Sequence, residues 1–146
     1  MNTLVICGNP WLDIKKAKEL FEIFGVSDAL SIANNRTLDI NTWHEHLFAS
    51  NKTITSQVKP SKAWELAVSE IFLSNWEEPL WGWVNSKSTL MLDFFNSFDP
   101  NIYFILVYSP LEEALGKALL LSSNSDDFSL QEITAQWMLS VSYTHL

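Results

Sequence analysis

One cysteine, nine basic residues and no long apolar run exclude several classes for this 146-residue chain. Cys7 stands alone inside Leu4-Val5-Ile6-Cys7, which rules out an intrachain disulfide and favours a reducing, cytoplasmic setting. At a net charge of −8, Lys and Arg are too few to form a broad cationic face, so neither nucleic acid nor an anionic membrane is expected as a partner. The longest apolar runs, such as Ile102 to Tyr108, fall far short of the roughly twenty residues that span a bilayer. No basic region leads into an apolar core at the N-terminus, so no targeting segment is expected. No repeat, low-complexity tract or linker divides the chain, and residues 1–140 read as a single domain.

What is present is apolar and aromatic: 47% hydrophobic residues and seven Trp are enough to fill one core. The organising stretch runs from Pro79 to Glu113. Ile102-Tyr103-Phe104-Ile105-Leu106-Val107-Tyr108 lacks alternation, which predicts a strand buried on both faces of a parallel sheet. Leu80-Trp81-Gly82-Trp83-Val84 predicts another strand, with Trp81 and Trp83 on one face as core residues. Leu90, Met91, Phe94 and Phe95 recur at helical spacing between the two, as a crossover helix requires. Adding Asn2 to Gly8, the expectation is an α/β domain with parallel strands near 3–8, 80–84 and 102–108. Helices are expected near 13–24, 62–76, 88–97, 110–121 and 129–139, and a short one near 40–49.

Several residues invite chemistry. Strand, Gly8-containing turn and helix form the unit in which α/β proteins place phosphates at a helix N-terminus. Trp11, Leu12 and Asp13 fill that turn with bulk and negative charge, which suits a helix cap better than an anion. Ile14, Ala17, Leu20, Phe21 and Phe24 give the following helix its apolar side until Gly25 stops it. His44-Glu45-His46 resembles a metal pair, but residues two apart do not share a helix face, so they read as solvated and no metal set is assigned. Ser61 caps a helix whose core face is Trp64, Ala67, Val68, Ile71 and Phe72.

The run Pro79-Leu80-Trp81-Gly82-Trp83, then Leu92-Asp93-Phe94-Phe95, then Phe104 through Ser109-Pro110-Leu111-Glu112, resembles bacterial sulfotransferase-like proteins related to the PAPS-dependent sulfotransferases. Gly8 and Gly25-Val26 match the spacing of that family's N-terminal unit, and the likeness is weakest between Ser27 and Ser61. The resemblance implies a three-layer α/β/α fold of P-loop type, with PAPS as sulfuryl donor and a hydroxyl or amine acceptor. It places Gly8, Asn9, Lys15, Asn85, Ser86, Lys87 and Ser109 along the nucleotide cleft.

The family's cationic and hydroxyl ligands are replaced at matching positions. Its first loop falls on Trp11, Leu12, Asp13, Ile14 and Lys15; its Lys-Asp-Pro-Arg falls on Val84, Asn85, Ser86 and Lys87. Its 3′-phosphate Arg and Ser fall on Tyr108 and Gly116. Losing one positioned donor costs about 10²–10³ in rate, so weak or absent transfer is the expectation, and a non-catalytic module that binds a small molecule or a protein is the alternative. On their own chemistry, Lys15, Lys16 and Lys87 read as solvated lysines, and Asn85 and Ser86 as a helix cap. The closing Val141-Ser142-Tyr143-Thr144-His145-Leu146 looks like a translated sequencing adapter, which implies a natural chain cut short before it.

Overall fold

The computed structural model describes residues 2–8, 14–29, 39–49, 58–122, 134–135 and 137–138. In chain order the elements are β1 (Asn2–Gly8), α1 (Ile14–Phe24), β2 (Ser27–Asp28), α2 (Ile40–Ala49), α3 (Lys62–Ser74) and β3 (Leu80–Val84). A 3-10 helix (Ser86–Met91), α4 (Leu92–Phe98), β4 (Ile102–Val107) and α5 (Leu111–Ser122) follow. The strands form one parallel sheet in the order β2-β3-β1-β4. Asn2 pairs with Leu80 and Thr3 with Ile102, so β1 is held between β3 and β4. The sheet is parallel because each connection is long enough to carry a helix back to the strands' starting end.

Alternation along the strands divides the core. Val5, Cys7, Trp81 and Trp83 pack with Trp43 and Leu47 of α2, Val68 and Phe72 of α3, Met91, and Phe95 of α4. Ile6 and Val84 point the other way and pack with Ala17 and Phe21 of α1. Trp81 and Trp83 are both buried, as expected, their rings 5.7 Å apart between centroids. Gly82 separates them because its backbone touches β1: a Cβ there would lie 1.7 Å from the Leu4 carbonyl oxygen.

Several expectations change. β4 is an edge strand of the described sheet, and Tyr103, Leu106 and Val107 are exposed rather than covered on both faces. An unbroken apolar run cannot by itself tell a central strand from an edge. Of the α1 pattern, Ala17 and Phe21 are buried, whereas Leu20 and Phe24 face outward, a narrower stripe than the spacing implied. The crossover helix winds its first turns as 3-10 and becomes α-helical at Leu92. Ser61 occupies the N-cap of α3 with extended backbone, yet its side chain makes no capping hydrogen bond. β2 was not expected at all, being two residues long with no apolar pattern.

Gly25 ends α1 at φ 67°, where the Val26 N–H bonds back to the Phe21 carbonyl at 2.9 Å, a left-handed terminus that glycine adopts at least cost. Within the expected helix 129–139, the described residues 134–135 and 137–138 are helical. Asn9 through Asp13 and the closing residues 141–146 lie outside the described residues.

Candidate functional site

The connection after β1 leaves toward α1, whereas the connection after β3 leaves toward the 3-10 helix and α4 on the other side of the sheet. Adjacent parallel strands whose connections diverge leave a crevice at their C-terminal ends, where open α/β sheets bind ligands. Gly8 and Asn85 stand at that point. Gly8 has φ 147°, and a Cβ on it would meet the Val107 carbonyl oxygen at 1.9 Å, so the end of β1 fits against β4 only as glycine. Thr89 fills the space beside it: its Oγ1 accepts from the Gly8 N–H at 2.8 Å and donates to the Gly8 carbonyl at 2.9 Å.

Asn85 fastens the β3 side. Its N–H donates to the Ile6 carbonyl at 3.0 Å, its Oδ1 accepts from the Lys87 N–H at 2.9 Å, and its Nδ2 donates to Asn41 Oδ1 at 3.0 Å. It therefore caps the 3-10 helix, as its residue type predicted. Ser86 is half-buried beside it, and Lys87 is exposed with its ammonium 5.7 Å from the centre of the Phe48 ring. Ser109 is half-buried two residues beyond Val107, the β4 partner of Gly8, and its carbonyl accepts from Trp137 Nε1 at 3.1 Å. Gly8, Asn85, Ser86, Lys87 and Ser109 thus gather at one end of the sheet. Lys15 is exposed on the first turn of α1, and no described contact joins it to them. Asn9 lies outside the described residues.

Beneath Lys87 runs a buried polar chain that the sequence reading missed. Trp83 Nε1 donates to Ser88 Oγ at 2.9 Å, and Ser88 Oγ lies 2.9 Å from His44 Nε2. His44 Nδ1 lies 2.7 Å from the Ile40 carbonyl. A carbonyl only accepts, so Nδ1 carries the proton, Nε2 is the acceptor, and Ser88 donates to it. His44 is fully buried, not solvated as expected; only Glu45 and His46 face outward. The signal was its helical position, one turn after Ile40 and on the side shared with Trp43 and Leu47, masked by polar neighbours. Burial pushes the His44 imidazole down to about 4, with the Lys87 charge adding to it and the Ile40 bond opposing.

A serine hydroxyl on a neutral imidazole is the arrangement of an activated nucleophile. Here Ser88 and His44 have no exposed surface, so the chain ties α2 to the end of β3 instead of meeting a substrate. Burial likewise pushes the Cys7 thiol up to about 12, opposed by its bond to Thr89, which leaves it protonated and unreactive.

No family model, curated protein or solved structure matches the chain. Fold and site together define a mixed α/β protein with a four-stranded parallel sheet and a polar, tightly hydrogen-bonded end between β1 and β3. Among the described residues, no helix is long and apolar enough to cross a membrane.

Proposed function

We propose that the chain is a sulfotransferase-like domain on a three-layer, P-loop-type α/β/α scaffold, with a donor site too degenerate for efficient transfer from PAPS. The observation that supports this reading is the sheet order β2-β3-β1-β4, since open parallel sheets bind ligands where neighbouring connections diverge, here at the ends of β1 and β3, and the resemblance assigns its nucleotide to those ends. Gly8, Asn85, Ser86, Lys87 and Ser109 lie at that end of the sheet.

Sulfuryl transfer needs positioned cations and amide donors for charge that develops on the transferred group and the leaving oxygen, with little covalent work by the protein. At the β3 end the cation is Lys87, and Val84 stands where the family carries another. The Gly8 amide is already satisfied by Thr89, which withdraws one donor from any incoming anion. That bond favours the second reading, a non-catalytic module that uses the same crevice for a small molecule or a protein.

Calorimetric titration with PAPS and with its desulfated product 3′,5′-ADP tests the proposal. Silence into the millimolar range is expected. Micromolar binding of either nucleotide would overturn the degenerate-site reading and restore an ordinary transferase.

A further inference from the structure

At the opposite end of the sheet, a cavity of about 530 Å³ opens between the end of α3 and the turn that leads into β4. Its size falls within the range of about 300–1,000 Å³ typical of small-molecule pockets. Phe72, Leu73, Trp76, Phe98 and Asp99 line it. The rings of Phe72 and Phe98 lie 4.9 Å apart between centroids, with their planes at 54°. Phe72 is held in turn by an edge-on contact with Trp81 at 5.0 Å. Trp76 is 64% exposed, so most of its indole faces solvent rather than protein.

Asp99 supplies the polar element. It is 7% exposed, and its carboxylate accepts from Thr3 Oγ1 at 2.9 Å and from the Asn101 N–H at 2.9 Å. These bonds fix the carboxylate and occupy two of its roughly four acceptor positions. Among the described residues, Asp99 has no ion-pair partner, and the cation–π contact found lies elsewhere, between Lys87 and Phe48. An unpaired buried carboxylate and aromatic ring faces both attract a cation and repel an anion. The net charge of −8 acts in the same direction over longer range.

We propose that this cavity binds a small organic ammonium: an amine on an aromatic or short apolar body, with the body against Phe72, Phe98 and Leu73 and the ammonium between Asp99 and Trp76. The site is separate from the crevice at the other end of the strands and does not depend on the transferase reading.

Calorimetry on the full chain with benzylamine, benzyl alcohol and phenylacetate tests it, because the three share a ring and differ in charge. Benzylamine should bind saturably, benzyl alcohol roughly tenfold more weakly, and phenylacetate not at all. Asp99→Asn should weaken benzylamine roughly tenfold while leaving benzyl alcohol unchanged, and Trp76→Ala should weaken benzylamine severalfold. Asp99 also anchors Thr3, so Asp99→Asn is first checked by thermal melting. Trp76 is exposed, and its variant carries the test if Asp99→Asn does not fold. Equal affinity for benzylamine and benzyl alcohol, no heat from benzylamine at about 10 mM, or unchanged benzylamine affinity in Trp76→Ala would each overturn the proposal.

Discussion

The Thr89 hydroxyl both accepts from the Gly8 N–H and donates to the Gly8 carbonyl, closing the end of β1 with one side chain. Thr89→Val keeps the shape and removes both partners. Each buried backbone group left unsatisfied costs about 1–3 kcal/mol, so urea unfolding should show a loss in the upper part of that range or beyond. Thr89→Ser, which keeps the hydroxyl, should recover most of it. Equal stability of the Val and Ser variants would mean that water replaces the hydroxyl without loss.

Trp81 and Trp83 lie side by side on one strand face but differ at their polar atoms. Trp83 Nε1 donates to Ser88, whereas Trp81 Nε1 is buried with no partner among the described residues. Trp→Phe at 81 discards a desolvated donor along with some volume, and at 83 it also leaves Ser88 short of a donor. Trp83→Phe should therefore be more destabilising than Trp81→Phe by about 1 kcal/mol, read from denaturant midpoints at constant m-value.

Acid should weaken the fold through His44. Its folded value of about 4 lies below its ordinary value of 6.5, so between the two the unfolded chain binds more protons. This contribution is fully present above about 6.5 and is lost as pH falls toward about 4, amounting to about 3 kcal/mol across the window. Stability measured against pH should be flatter in His44→Gln than in the parent over that range. An NMR titration of the parent placing His44 near 6.5 would contradict the buried assignment.

On the proposed sulfotransferase-like reading, Tyr108→Arg adds one cation at the position that the resemblance assigns to the 3′-phosphate. We expect no measurable 3′,5′-ADP binding from this change alone. Weak binding is expected only when residues 11–14 are also rebuilt with Lys, Ser, Gly and Thr and Gly116→Ser is added. Micromolar affinity from Tyr108→Arg alone would show that the rest of the crevice already holds the phosphates.

The sequence announced its strands wherever punctuation bounded them. Pro79 before β3 and the capping Asn85 after it delimit Leu80 to Val84 without ambiguity. β2 gave no such sign, since Ser27 and Asp28 earn their place by pairing with Trp81 and Gly82 rather than by their own apolar character. The buried polar chain was hidden for a related reason. His44, Ser88 and Thr89 are residue types that usually face water, and only the tertiary fold brings His44 to Ser88 and Thr89 to Gly8. The cavity around Phe72 and Trp76 was equally hidden, because Asp99 reaches it from another part of the chain.

β1 lies between two strands that follow it at long distance in the chain: Asn2 waits for Leu80, and Thr3 for Ile102. A nascent chain therefore emerges with Val5, Ile6 and Cys7 in hand and no neighbouring edge to join. Each of its two ladders must close a long loop before it gains any pairing, which favours slow folding relative to proteins built from hairpins or local helix pairs. The strand made before all its partners is thus among the last to have both of its edges covered.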